Sequence, residues 1–150
     1  MKTDSKLINL FLSTRPKFLT ASISPILVGS ALGFLTAGTF NWLLFLMALF
    51  AIMAFHAGAN VINDYYDHLS QNDWFNKNVT PFSGGSRFIQ NNLLSPKEIL
   101  TLGICLFAAG AVLGLIIVLL TKSIFILLLG FIGLLGGFFY TARPIKLGYR

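Results

Sequence analysis

The stretch Trp42-Leu-Leu-Phe-Leu-Met-Ala-Leu-Phe-Ala-Ile-Met-Ala-Phe-His56-Ala-Gly-Ala-Asn60-Val-Ile-Asn63-Asp64-Tyr-Tyr-Asp67 decides the fold. Its first part carries no charge and is as long as the ~20 residues a helix needs to cross a hydrocarbon core. It then turns acidic. Asp64, Asp67 and Asp73 are three of the five acidic residues in the chain. The C-terminal turn of a helix is the negative end of its dipole, so aspartates there are unfavourable unless compensated. Set three residues apart, they also repel each other. A divalent cation removes both problems, and carboxylate oxygens are the hard ligands that Mg²⁺ prefers. The stretch therefore reads as a transmembrane helix ending in a metal and diphosphate site at the membrane surface.

Composition agrees with a membrane reading. The chain has 150 residues, is 55% hydrophobic and has a mean hydropathy of +0.77. Soluble domains of this size do not have that balance. The formal charge of +6 comes from few charged residues, which argues against nucleic acid as a partner. The single cysteine, Cys105, lies in an apolar run and forms no intramolecular disulfide. The first apolar run is long enough to span and lacks a small-residue cleavage site, so it reads as a helix and not a signal peptide.

Working outward, four segments are expected to span, at about residues 18–37, 40–62, 99–120 and 124–141. A Gly38-Thr39 turn joins the first two, and Thr121-Lys122-Ser123 joins the last two. The fold class is all-α, a polytopic transmembrane bundle. Ten of the eleven Lys and Arg residues fall on one side of this arrangement, and only Lys122 on the other. The positive-inside rule makes the crowded side cytoplasmic, with the N-terminus and the aspartates. The expected location is a cell membrane, with the bilayer itself as a partner. Glycine pairs at Gly29-x3-Gly33, Gly110-x3-Gly114 and Gly133-x3-Gly137 read as close helix packing.

Three constellations on the cytoplasmic side could carry chemistry. Asn60, Asn63, Asp64 and Asp67 recur at three- and four-residue spacing, so a helix continued to Asp67 sets them on one face. The asparagines could hold water or phosphate, and Asp64, Asp67 and Asp73 could ligate Mg²⁺. Asp73 lies past the expected helix end, where the loop could fold it back. A solvated polar helix end is the competing reading. His56, one turn deeper, reads as a packed, hydrogen-bonded histidine and not as a ligand. Next comes Pro81-Phe-Ser83-Gly84-Gly85-Ser86-Arg87. Its glycines permit a backbone whose N–H groups bind an anion. Ser83 and Ser86 add hydroxyls, and Arg87 adds a guanidinium fork. A simple turn is the alternative. Finally, Tyr140-Thr-Ala-Arg143-Pro-Ile-Lys146-Leu-Gly-Tyr149-Arg150 sets cations beside phenols. That suits a diphosphate with an aromatic co-substrate, although belt aromatics and topology-setting cations look the same.

In this order, the stretches resemble the UbiA superfamily of intramembrane prenyltransferases. Asn63-Asp64-x2-Asp67-x5-Asp73 is similar to the first aspartate motif of the 1,4-dihydroxy-2-naphthoate polyprenyltransferase branch. So are the Gly-Gly-Ser-Arg loop, the opening Arg15-Pro16 with Pro25 in the first helix, and the loop from Tyr140 to Arg150. The resemblance implies Mg²⁺-dependent transfer of a polyprenyl group from its diphosphate to an aromatic acceptor such as 1,4-dihydroxy-2-naphthoate, in menaquinone-type quinone synthesis. Asp64, Asp67 and Asp73 would be the catalytic metal group. Asn60, Asn63, Ser83, Gly84, Gly85, Arg87 and Lys146 would face the diphosphate, and Tyr140 the acceptor side.

The family fold has about nine helices and a second aspartate motif. After Asp73 the only acidic residue here is Glu98. Residues 1–150 are thus expected to be one UbiA-like transmembrane domain, incomplete at the C-terminus. Such a piece should not catalyse alone, and it would pair with a missing C-terminal half or self-associate. Two other classes compete. A CDP-alcohol phosphotransferase also uses membrane-edge aspartates, but its motif begins Asp-Gly, where this chain has Asp64-Tyr65. A non-catalytic fragment or cation-binding transporter half would place its acids nearer the bilayer midplane.

Overall fold

The computed structural model describes residues 5–76, 80 and 84–149. The elements are helices: α1 Lys6–Ser13, α2 Thr20–Ala37, α3 Trp42–Leu69, the short α4 Asn72–Phe75, α5 Pro96–Thr121 and α6 Ile124–Phe138. Three runs are long and apolar enough to cross a membrane: Lys6–Ala37, Trp42–Leu69 and Pro96–Thr121.

The fourth expected span, α6, has 15 residues, which at 1.5 Å per residue is roughly 22 Å, short of a ~30 Å core. It stops early because the chain turns back on it. Leu147 N–H donates to the Phe139 carbonyl at 3.0 Å and Gly148 N–H to the Tyr140 carbonyl at 2.8 Å. The Gly148 position needs its missing side chain, since a Cβ there would meet the Tyr140 ring at 2.8 Å.

Helix boundaries follow local chemistry. The Asn41 side chain accepts the Leu44 N–H at 3.1 Å and starts α3. A reciprocal Ser95–Glu98 capping box starts α5, with Pro96 in its first turn. Gly38, at φ 68°, closes α2 in the left-handed conformation that glycine tolerates.

The seam between α3 and α5 organises the molecule. A Cβ on Gly103 would meet Ile62 at 2.7 Å, one on Gly58 would meet Phe107 at 3.1 Å, and one on Gly110 would meet the Ala51 carbonyl at 3.1 Å. As one residue number rises its partner's falls, so the two helices run antiparallel. The pairs Arg15–Asp64 and Ser22–His56 show the same sense between the N-terminal segment and α3.

The packing role expected of the glycine pairs holds for only some of them. Gly29, Gly33, Gly114 and Gly133 have nothing within 4 Å of an added Cβ, so no partner there requires a glycine.

The polar stretch after α3 is not a loose loop where it is described. Phe88, Ile89 and Leu94 are buried with Val61 and Ile99, and Leu10, Leu12 and Tyr65 pack around them. The tightest apolar core thus lies at the end of the bundle that carries the polar residues.

Candidate functional site

Helix α3 runs on through Asp67 to Leu69, so Asn60, Asn63, Asp64 and Asp67 do share one continuous helix. Asp64 and Asp67 are 3% and 6% exposed, and Asp73 is 2% exposed. Such burial is costly for carboxylates unless charge and hydrogen bonds compensate. For Asp64, the Arg15 guanidinium forms an ion pair with Oδ1, and Ser86 N–H donates to both oxygens at 3.2 and 3.3 Å. For Asp67, Asn63 Nδ2 donates at 2.8 Å and the Tyr149 hydroxyl donates to Oδ1.

Asp73 is folded back on the short helix α4, as the loop reading anticipated. Gln90 Nε2 donates to its Oδ2 at 3.2 Å. Burial, and next the Asp64 charge, push the Asp73 carboxyl above the ordinary carboxylate range; Arg87, Arg15 and Gln90 pull the other way.

The glycine loop does bind an anion, but that anion belongs to the protein. Gly84 and Gly85 have φ of 88° and 77°. This geometry presents the Ser86 N–H to the Asp64 carboxylate. Gly85 is needed for room as well as for φ, since a Cβ there would meet Asp73 Oδ2 at 2.6 Å. Arg87 donates to the backbone carbonyls of Asp73 and Asn76, tying the loop to α4. Ser83 lies outside the described residues.

The other candidates spread more widely. Asn60 donates to the Thr14 carbonyl at 3.0 Å, which clasps the N-terminal segment to α3. His56 Nδ1 is 2.8 Å from Ser22 Oγ, a packed histidine as expected. Lys146 sits 5.8 Å from the Tyr149 ring centroid. Tyr140 is exposed, and none of its described contacts reaches the aspartates.

Three further residues complete the surroundings of the aspartates. By sequence Arg15 counts only as a topology charge and as part of a resemblance, although its place beside Pro16 marks a break in the chain. Here it adopts φ 56° and reaches Asp64. No spacing rule points to Gln90, and Tyr149, one of the phenols of the C-terminal stretch, meets Asp67 only in the folded chain.

Among the described residues, no three His, Cys, Asp or Glu side chains converge as a formed cation site. The donor chemistry nevertheless suits a hard cation. Three buried carboxylates face two guanidiniums, and Arg15 Nε and Arg87 Nε are buried without an acceptor among the described residues. Deeper in the bundle, an apolar cavity of about 480 Å³ opens between α2, α3, α5 and α6, with Ile26, Ala51, Phe55, Gly114 and Gly130 in its walls.

The model of the UbiA prenyltransferase family matches residues 22–150. The chain belongs to that family. Among UbiA relatives, UbiA prenyltransferase domain-containing protein 1 of Danio rerio is 30% identical over 139 residues, covering 91% of this chain and 39% of the relative. The protein of the same name from Mus musculus is 30% identical over 138 residues, again 91% and 39%. The 1,4-dihydroxy-2-naphthoate octaprenyltransferase of Bacillus subtilis (strain 168) is 31% identical over 136 residues, 91% of this chain and 42% of the relative. This UbiA chain therefore spans about two fifths of the length of these relatives. No solved structure matches it.

Proposed function

We propose that this UbiA chain forms the diphosphate-binding part of a Mg²⁺-dependent enzyme that transfers a polyprenyl group from its diphosphate to an aromatic acceptor of the 1,4-dihydroxy-2-naphthoate type. The observation that carries the reading is the buried cluster of Asp64, Asp67 and Asp73 with Arg15 and Arg87 beside it, in a chain of this family.

Asp64, Asp67 and Asp73 would hold the Mg²⁺, which when bound supplies positive charge against the diphosphate. Arg15 and Arg87 add fixed cationic donors, and their unpartnered Nε–H groups suit phosphate oxygens. In the reaction the allylic C–O bond breaks and its electron pair leaves with the diphosphate. The electron-rich ring carbon forms the new C–C bond and then loses its proton. Donors held in place before reaction stabilise the leaving group without having to reorganise.

The apolar cavity supports the other half of the reading. Phe55, in its wall, lies nine residues before Asp64 on the same helix, roughly 13 Å along the axis. An apolar chain whose diphosphate sits at the aspartates would have dry surface to follow, and exclusion of water protects an allylic cation.

The site is proposed to face the cytoplasm, on the ten-to-one division of Lys and Arg. Labelling Ser70→Cys and Ser123→Cys in intact cells checks this; external labelling at 70 would reverse it.

The activity test is a chimera in which this chain replaces the matching stretch of the Bacillus subtilis relative. Supplied with Mg²⁺, a polyprenyl diphosphate and 1,4-dihydroxy-2-naphthoate, it should release diphosphate and form the prenylated ring. A chimera that inserts and purifies as a single species yet forms no product would refute the proposal.

A further inference from the structure

Helix α1 packs Leu10 and Leu12 against the core, yet its outward side is apolar as well. Leu7, Ile8 and Phe11 share one side and are 78%, 44% and 62% exposed. Asn9 and Ser13, on the opposite side, are 2% and 0% exposed. A water-facing helix would carry polar residues on that outward side. The orientation is not accidental, because α1 is fastened at both ends. Lys6 pairs with Glu98 at the start of α5, and Asn60 holds the Thr14 carbonyl just past its C-terminus. Ser13 satisfies its own hydroxyl on the Leu10 carbonyl at 2.7 Å, so its burial leaves no orphaned donor.

Length shows where the helix must sit. The run Lys6–Ala37 has 32 residues; one straight helix of that size would be roughly 48 Å, well beyond a ~30 Å core. The chain breaks it at Arg15, which is left-handed at φ 56°, followed by a 3-10 turn at Pro16–Leu19. The 18 residues of α2 then make roughly 27 Å. α2 alone fits the core, and α1 falls at its edge, immediately beside an exposed lysine, Lys17.

We infer that α1 is an interfacial helix that lies on the bilayer, with Leu7, Ile8 and Phe11 in the boundary between headgroups and acyl chains, and with Lys17 at the level of the phosphates. The occupant of this exposed apolar face is a phospholipid leaflet, because the face is continuous in sequence with the exposed apolar surface of α2, in a run long and apolar enough to cross a membrane. There, no residue is buried and Leu27, Val28, Leu32 and Leu35 are exposed. Apolar residues on one side with lysine near the ends is the pattern of helices that lie in this layer. The helix also ties the leaflet to the acidic cluster, since the residue two places after its end is Arg15, paired to Asp64. The inference does not depend on the catalytic reading.

The test is spin-label accessibility on the intact chain in phosphatidylcholine nanodiscs, in a Cys105→Ser background. Single labels at Leu7→Cys and Phe11→Cys occupy exposed positions and disturb no described contact. Leu32→Cys serves as a mid-span reference, and Ser70→Cys as an aqueous one. Labels at 7 and 11 should be more accessible to oxygen than to a water-soluble nickel chelate. Their oxygen-to-nickel ratio should lie several-fold above that at 70 and below that at 32. A ratio at 7 and 11 equal to that at 70 would put α1 in water and overturn the inference. Exclusion of both reagents would mean that protein covers the face, and would overturn it equally.

Discussion

The α3–α5 seam and the outer helices α2 and α6 use the same apolar residues and glycines, yet they pack in opposite ways. Along the seam, Gly58, Gly103 and Gly110 each sit where a Cβ would press on the facing helix. Ile62 and Ile99 are fully buried there. In α2 and α6 no residue is buried, and Gly29, Gly33, Gly130 and Gly133 face open space. A small residue in a membrane helix brings two helices together only where another helix stands opposite it. The seam is therefore the rigid part, and it is the part that carries the acidic cluster at its end. The outer helices form the more open wall around the cavity.

If the seam and its polar end are the working part, their substitutions must dominate. The largest effect is expected at the aspartates. In the chimera, Asp64→Ala or Asp67→Ala should lower product formation by on the order of a hundredfold or more, the scale of losing a group that stabilises a leaving anion. Leu32→Ala, on the exposed face of α2, should leave it nearly unchanged. Retained turnover in either aspartate variant at low Mg²⁺ would break the assignment of the metal group.

Next comes Arg15→Ala. It leaves the buried Asp64 carboxylate without its ion pair, and breaking a buried pair costs about 3 kcal/mol or more. Unfolding in mixed detergent micelles should show that loss.

Gly103→Ala tests the seam directly. Its methyl would overlap Ile62, so a loss of about 1–3 kcal/mol is expected from overpacking. Gly114→Ala on the same helix should stay within about 0.5 kcal/mol, since nothing lies within 4 Å. Equal effects at 103 and 114 would erase the difference between tight and open faces. The smallest change is Asn41→Ala, which removes the N-cap of α3 and should cost about 1 kcal/mol in the same assay.

The helical class and the places of the spans were legible because a long charge-free run has few other solutions in lipid, although α3 runs on to Leu69, seven residues past the expected end of the second span. The fourth was overestimated. Residues 139–141 are still apolar or small in composition, and only the hydrogen bonds of the returning segment show that the helix has already ended. Within the candidate site, Asp64, Asp67 and Asn63 were readable from helical spacing. Arg15, Gln90 and Tyr149 were not, because each is brought in by an element distant in sequence.

What the sequence determined by itself is the bundle and its acidic end. Hydropathy sets which segments leave water, and a period of 3.6 sets which residues share a face, both without reference to the rest of the chain. What only the tertiary structure decided is how the acids are compensated and which glycines carry a load. The Ser86 N–H reaches Asp64 only after the chain has folded back across Asp73 and Gly85. Gly103 and Gly114 are equivalent on paper, and only the presence of Ile62 opposite one of them makes the difference. Charge compensation and close packing act over a few ångströms, so they depend on neighbours that the order of residues does not reveal.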